Sequence, residues 1–552
     1  MPETLSNKEV GKVLKLLASL MELHGENDFR TRTYNNAAFQ VGRVPEPVIS
    51  MDKTTLENTK GIGKSVAGKI VELAQSGRIQ ALDDLLAQTP EGVAEMLQIK
   101  GLGAKKVAVI WQELGVETPG ELLYACYENR LAKLKGFGDK TQQSVIDAIE
   151  YFQSNQGKFH FAVADIEARA IESGWPDNGS WERTGILRRE DLIVEQLEWI
   201  TTGTDDTLPV PEGWTPSADG WAAVSPHGIP MRLIQVTPEE KGIVQFRTTG
   251  TPDHVAEVEK RSKAPLSGDE VSIYEGAGLP FIPPWLREDL AEWDLAAGNK
   301  LDEIIRLEDL RGVVHNHSTW SDGRNTLREM AEACMKLGYE YLVISDHSKT
   351  AVYAGGLEVE RVIQQHKEIE QLNVELAPFR IFKSIESDIL NDGSLDYPDD
   401  ILQQFDLVIA SVHQNLRMDP EKATSRLMAA VENRYTAILG HMTGRLLLSR
   451  PGYQPDHKKI IDACVANGVA IEVNANPYRL DMDYHWIPYA MEKGLLMCIN
   501  PDAHSVEGIA DMHWGVCAAR KGGLLRAQTL NALPLEAFEK WVSDRRAAKG
   551  ID

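Results

Sequence analysis

GVVHNHSTWSDG, Gly312 to Gly323, decides the reading of the C-terminal half of the chain. An apolar, β-branched run ends in two histidines, and turn residues with an aspartate follow at once. The same form recurs downstream in YLVISDH (341–347), FRIFKSIES (379–387), FDLVIASVH (405–413), YTAILGH (435–441), GVAIEVN (468–474) and GLLMCINPDAH (494–504). Helix-length stretches separate these runs. Strands alternating with helices predict parallel βα units. Seven units predict a barrel whose site is built from loops at the C-terminal ends of the strands.

Six of the seven runs deliver a histidine or a carboxylate to that rim. The first supplies His315 and His317, with Asp322 just beyond. The second ends in Asp346 and His347, and the third carries Glu386 and Asp388. The fourth ends in His413, the fifth in His441, and the seventh in Asp502 and His504. Imidazoles and carboxylates together suit Zn, Mn or Fe. The donors outnumber what one tetrahedral ion needs, so two or three divalent ions are expected, with Asp or Glu bridging. Chance enrichment is modest, since 10 of the 14 histidines lie after residue 300. Register decides the matter instead: a histidine closes run after run. His366, His457, His485 and His513 lack that placement and read as surface or internally satisfied side chains.

The rest of the chain bounds the problem. At roughly 100–200 residues per domain, 552 residues make about three to five domains. Five scattered cysteines without a CxxC pair fit a reducing cytoplasm. No apolar run spans a membrane and no secretory signal opens the chain, so a cytoplasmic location is expected. Nothing suggests an obligate dimer, and a monomer is expected. The net charge of −24 argues against a general nucleic-acid binder, but its distribution changes that reading. Residues 1–155 hold 18 Lys and Arg against 20 Asp and Glu, whereas residues 156–300 hold 13 against 25. Any grip on nucleic acid belongs at the N-terminus.

One pattern recurs there three times. LENTKGIGKSVAGKIVELAQSG (56–77), LQIKGLGAKKVAVIWQELG (97–115) and LAKLKGFGDKTQQSVIDAIEYF (131–152) each read Lys-Gly-apolar-Gly before an amphipathic helix. Gly61 and Gly63, Gly101 and Gly103, and Gly136 and Gly138 form the turns. Such a turn aims backbone N–H groups at a phosphate without reading bases. Lys64, Lys105 and Lys106 follow the turns and can neutralise phosphate. The third copy has Asp139 there instead and is the weakest binder. A Walker A reading of GIGKS fails, because no Gly precedes Gly63-Lys64 at the required spacing. The segments resemble helix-hairpin-helix motifs, and DNA is the implied partner.

Residues 156–300 bring tryptophans, prolines and strand-like stretches, and read as a small α+β domain. LPFIPPWLRE (279–288) reads as a linker, because paired prolines stop regular structure.

HNHSTWSDG, SDHS, IES, SVH, GHMTGR and NPDAHS resemble the successive motifs of the PHP (polymerase and histidinol phosphatase) metallo-phosphoesterases. That resemblance implies a distorted (β/α)7 barrel and phosphoester hydrolysis. It also implies nine ligands: His315, His317, Asp322, His347, Glu386, His413, His441, Asp502 and His504. Asp322 and Glu386 would serve the catalysis. Arg445, in GHMTGR, would either hold a phosphate oxygen or lie idle on the surface. The implied ions are Mn²⁺ and/or Zn²⁺, with Fe or Mg²⁺ as alternatives.

The order of parts resembles the bacterial and archaeal family X DNA polymerases, which join a polymerase-beta-like core to a C-terminal PHP exonuclease. RTRTYNNAAFQV (30–41), LPFIPPWLRE and RLEDLRGVVHNHSTWSDG (306–323) carry that likeness. The implied division is 1–80 and 81–155 for two all-α helix-hairpin-helix domains, 156–300 for an α+β palm and thumb, and 301–552 for the PHP domain. In the polymerase-beta branch a lysine after the first hairpin forms a Schiff base with an abasic sugar. Lys69 falls at that position, where a solvated helix lysine is the alternative.

The palm departs from the pattern. The family's three metal-binding aspartates follow a Gly-Ser motif, here Gly179-Ser180. The next strand, RREDLIVEQLEW, puts Glu190 and Leu192 at the Asp-x-Asp positions, or Asp191 after a one-residue shift. Pro230, in GIPMRLIQV, stands at the third. The expectation is a palm that keeps its fold and has lost polymerisation. The implied activity is 3′–5′ exonucleolytic cleavage of gapped, nicked or 3′-ended DNA, with an active gap-filling polymerase or a PHP small-molecule phosphatase as alternatives.

Overall fold

The computed structural model describes residues 5–127, 130–175, 181–202 and 213–551. Two compact units divide it, Met1–Gln156 and Gly157–Asp552. The Gly179-Ser180 motif lies outside the described residues.

The first unit is helical. Its three Lys-Gly-apolar-Gly segments take one backbone form. Gly61, Gly101 and Gly136 all have left-handed φ, at 86°, 91° and 90°. A β-carbon is strained there, and at Gly61 it would also meet the Gln40 side chain at 2.5 Å. Gly63 and Gly103 then cap helices Lys64–Ser76 and Ala104–Leu114. Both helices end on a left-handed glycine, Gly77 and Gly115. Their inward rows, Val66, Ala67, Ile70 and Leu73, then Ala104, Val107 and Ile110, repeat at helical spacing and join one core.

The second unit is built on seven parallel strands: β1 Gly312–Asn316, β2 Tyr341–Ile344, β3 Arg380–Asp388, β4 Leu407–Ser411, β5 Thr436–Leu439, β6 Ala470–Asn474 and β7 Met497–Asn500. Their order in the sheet is their order in sequence. The sheet nearly closes, since Asn316 bridges Ala503 in parallel and the His317 N–H donates to the Ala503 carbonyl at 2.8 Å. Alternate strand residues face two cores. Val313, Leu342, Ile381 and Val408 pack with the surrounding helices, whereas Val314, Val343, Phe382 and Ile409 pack with Phe538 and Val542 of the C-terminal helix Leu535–Ala548. Helix Leu327–Lys336 is typical of the outer layer. Thr326 and Glu329 form its capping box, and Leu327, Met330, Ala331 and Cys334 line its buried side.

Residues 157–300 pack into the same unit as the barrel. A five-stranded sheet runs Trp181–Arg183, Leu197–Thr201, Pro230–Gln235, Gly220–Val224, Thr215–Ser217 in spatial order, and its one parallel pair is Leu197–Thr201 with Pro230–Gln235. This corrects the strand read from the sequence. RREDLIVEQLEW is not one strand: Ile193–Val194 pairs elsewhere, and only Leu197–Thr201 lies beside Pro230–Gln235. Glu190 sits in a left-handed turn (φ 57°), and Leu192 is buried in the barrel core. Neither faces Pro230. The sheet position that neighbours it is occupied by Gln196-Leu197-Glu198, with Glu198 across from Arg232.

LPFIPPWLRE is no linker either. Ile282, Leu286 and Arg287 are fully buried, and Glu288 reaches Arg189 at 2.9 Å as well as Lys521. The prolines stop regular structure there, but apolar and ionic partners hold the segment in place. All five cysteines are buried and unpaired. Among the described residues, no helix is long and apolar enough to cross a membrane.

Candidate functional site

The barrel rim gathers all nine side chains that the PHP resemblance implies as ligands. Glu386, at the end of β3, lies at the centre. One of its oxygens is 3.2 Å from His315 Nε2, 3.0 Å from His413 Nε2 and 3.0 Å from His441 Nε2; the other is 3.0 Å from His347 Nδ1 and 3.7 Å from His317 Nε2. Asp502 Oδ1 approaches His317 Nε2 at 3.1 Å and His315 Nε2 at 3.7 Å. Asp322 Oδ1 approaches His504 Nε2 at 3.4 Å and His347 Nε2 at 3.6 Å. Three groups have donor atoms close enough to share an ion: His317, Asp322, His347 and His504; His315, His317 and Asp502; and His347, Glu386 and His413. His317 and His347 belong to two groups each, so the cluster is continuous.

The donors fit divalent ions. His317 Nδ1 and His441 Nδ1 are buried without a hydrogen-bond partner within the protein, and His315 Nε2, His347 Nδ1 and Glu386 Oε2 lie in ion-pair contact without hydrogen-bond geometry. Such groups cost free energy unless something binds them. The set is all nitrogen and oxygen, with no thiolate, which suits Zn, Mn, Fe or Mg. Backbone strain points the same way. His315 and Asp502 are held at left-handed φ, 63° and 53°, at about 1–3 kcal/mol each.

A second layer fixes the rings. Burial disfavours a charged His315, but Glu472, Glu386 and Asp502 outweigh it and hold its pKa well above the usual value. Glu472, in β6, is fully buried and lies 2.5 Å from His315 Nδ1. It also accepts from the His441 N–H at 3.0 Å, Asn474 at 2.9 Å and Asn500 at 2.8 Å. Asp388 pairs with His413 Nδ1 and accepts from the Thr350 hydroxyl at 2.7 Å. His413 is pushed up to about 10: burial opposes the charge, and Glu386 and Asp388 override it. His317 goes the other way, well below its usual range, through burial and its neighbours His504 and His347. Burial works against the Glu386 charge, yet His413, His315 and His347 keep its carboxyl well below the ordinary range.

Asp346 turns away from the cluster. It accepts from the Ser318 N–H at 2.8 Å and from the Gln365 amide at 2.6 Å, bracing the loop that carries Asp322. Arg445 is not aimed at the rim. Its Nε donates to the Arg479 carbonyl at 2.9 Å, and its other nitrogens hold Asp483 and the Leu480 carbonyl. Arg479 is the guanidinium that the sequence reading missed, 3.7 Å from Asp502. Glu472 was missed too; a lone acid inside the apolar run of β6 was its signal. Of the histidines set aside, His366 meets Phe405, His457 stacks on Trp486, His485 pairs with Asp483, and His513 faces Cys517 at 3.8 Å.

In the first unit, a β-carbon on Gly63, Gly103 or Gly138 would meet nothing within 4 Å, so space is open above these turns. No side chain caps the helices at Gly63 and Gly103, which leaves first-turn N–H groups for an anion. Lys64 is exposed beside them. Lys106 reaches the Gly101 carbonyl at 3.2 Å, and Lys105 lies 3.8 Å from Glu22. Asp139 puts a negative charge in the first turn of the third helix. Lys69 is partly buried and bound to Glu72 at 2.7 Å.

A parallel barrel with this rim, in a chain that also carries hairpin turns built for phosphate, defines a PHP-domain protein with nucleic-acid-binding modules. Residues 314–476 match the PHP domain, residues 5–79 a helix-hairpin-helix domain, and residues 93–150 a SAM-like helix-hairpin-helix tandem. The chain is 34% identical to the DNA polymerase/3′-5′ exonuclease PolX of Bacillus subtilis (strain 168), over 98% of this chain and 99% of that one. It belongs to the PolX family. A probable phosphatase of Thermoanaerobacter sp. (strain X514) is 26% identical over 39% of this chain and 88% of its own. A crystal structure of histidinol phosphate phosphatase from Lactococcus lactis covers 39% of this chain and 94% of its own, with 18% identity and a TM-score of 0.31.

Proposed function

We propose that this protein is a metal-dependent phosphodiesterase that trims DNA from 3′ ends at gaps, nicks or termini, through the barrel rim. The carrying observation is the convergence of nine imidazoles and carboxylates in one continuous cluster, with buried ring nitrogens left unpaired, in a chain similar along its length to a PolX protein. On this reading the four-part division 1–80, 81–155, 156–300 and 301–552 is also a division of labour. The hairpin turns hold backbone phosphates, and Lys64, Lys105 and Lys106 neutralise them.

The nine rim residues would hold two or three divalent ions, Mn²⁺ or Zn²⁺ first among them. Bound ions of this kind supply a water ionised near neutral pH and neutralise phosphate and leaving-group charge. Glu472 and Asp388 hold His315 and His413 by Nδ1, so each presents Nε2 to the cluster. Asp322, with a side chain 24% exposed, is the most open carboxylate of the cluster and stands where it can take a proton. Arg479, not Arg445, is placed to receive a phosphate oxygen. The test is digestion of a 3′-labelled oligonucleotide: labelled nucleotide is released with Mn²⁺ and none after chelation. Intact DNA under both conditions would refute the reading.

We infer that polymerisation is lost. Pro230 offers no ligand, and Glu198 on the adjoining strand is taken by Arg232 at 3.2 Å. Primer extension with dNTPs and Mg²⁺ or Mn²⁺ should yield nothing; clear extension would restore the gap-filling reading. The phosphatase-named relative of Thermoanaerobacter matches 39% of this chain, and a phosphomonoester cleaved in preference to single-stranded DNA would favour that alternative.

A further inference from the structure

The loop after β2 presents two large apolar side chains to solvent beside the rim. In the short turn Val352–Ala354, Val352 is 80% exposed and Tyr353 61% exposed, while Ala351 and Ala354 on either side are buried. The exposure is not slack in the loop. Thr350 is held by Asp396 at 2.8 Å and Asp388 at 2.7 Å, and Gln414 donates to its carbonyl at 3.1 Å. Arg361 holds the Gly355 carbonyl at 2.8 Å. Gly356 packs so closely that a β-carbon would fall 2.0 Å from the Ser348 carbonyl. The protein fixes this loop firmly, yet leaves its apolar face uncovered. Folding gains nothing from that exposure.

The Tyr353 ring centroid lies 6.3 Å from that of His347, which belongs to two of the three donor groups. A phosphodiester held there carries its base a few ångströms away, within reach of this ring. An aromatic face on a rigid support beside a phosphate site is how single strands are held without sequence preference. Phosphomonoesters of small polar molecules have no flat apolar group to place on it.

Resting on the phosphodiesterase reading above, we propose that Tyr353 is the stacking platform for the base of the nucleotide being released, and so selects nucleic-acid ends over small phosphate esters. It is a specificity residue. Equilibrium dialysis on the full-length, Mn²⁺-loaded protein tests it, with dAMP and deoxyribose 5-phosphate as probes. Tyr353→Ala should weaken dAMP binding about 10-fold and leave deoxyribose 5-phosphate binding and metal content unchanged. Tyr353→Phe should match the unaltered protein, because stacking needs the ring and not the hydroxyl. Unchanged dAMP binding in Tyr353→Ala, equal weakening of both probes, or a Phe variant as weak as the Ala variant would each overturn the platform. The oligonucleotide digest runs beside it. If dAMP binding follows the pattern but no nucleotide is released, the exonuclease reading fails alone. If nucleotide is released but binding ignores Tyr353, the platform fails alone.

Discussion

The barrel rim and the palm-like sheet both concentrate acids, and they treat them in opposite ways. In the sheet region the inward-facing acids are met by arginines. Glu198 pairs with Arg232, which also holds Asp219; Arg183 holds Asp165 and Glu172, each at 2.6 Å; Arg188 and Arg287 share Glu270. At the rim, Glu386 faces only imidazoles, and Asp502 has one guanidinium at 3.7 Å. An acid already paired with a guanidinium has little left for a metal ion. A region with converging acids and unpaired ring nitrogens gains by binding one. The −12 balance of residues 156–300 is therefore a poor guide to cation binding; what counts is whether arginines already answer the acids.

The largest expected effect lies at the rim. His315→Ala with His317→Ala removes donors from two of the three groups. Bound metal should fall below detection, and nucleotide release should drop by more than the roughly 100-fold that losing an outer-layer partner costs. Elemental analysis and the 3′-label digest read the two losses. Full metal content in that variant would erase the contrast between the regions.

A sharper test exchanges one atom in each region. Glu472→Gln keeps the volume but removes the charge opposite His315 Nδ1. Metal affinity, measured by competition with a chelator, should fall about 10–100-fold while the fold persists. Glu198→Gln makes the same chemical change in the palm, and metal affinity and nucleotide release should not move. If the palm variant loses metal, the sheet is still a metal site and the loss of polymerisation is misjudged.

The rim was legible in the sequence because its donors stand at strand ends, where an apolar run stops and a loop begins. His315, His347, His413 and His441 could be read from that break alone. Glu472 could not. It sits mid-strand among Ile471 and Val473, and only the closed sheet turns it toward His315. The palm was misread for a related reason. Leu192 and Leu197 both look like inward strand positions, but the strand is interrupted between Val194 and Leu197, and Leu192 joins the barrel core instead. Strands of two residues carry too few side chains for a period to be seen. LPFIPPWLRE was misread because prolines report the absence of regular structure, not the absence of packing partners such as Lys521.

The smallest effect tests the claim that the palm's charges serve the fold. Burial opposes the Glu270 charge, but Arg188 and Arg287 hold its carboxyl below the ordinary range. A carboxyl depressed in the folded state contributes stability that is present above its unfolded pKa, about 4.3. That contribution drains away as pH falls through the folded value. Denaturant unfolding followed by the fluorescence of Trp181 and Trp199, which lie in this sheet, should therefore show stability dropping below about pH 4.3. In Glu270→Gln the acid slope should flatten, and stability at pH 7 should be lower by about 1.5–3 kcal/mol, since Arg188 and buried Arg287 lose a charged acceptor. Nucleotide release at pH 7 should be untouched. An unchanged acid slope would mean that the arginines do not answer this acid in solution, and the contrast with the rim would rest on the pairs of Arg183 and Arg232.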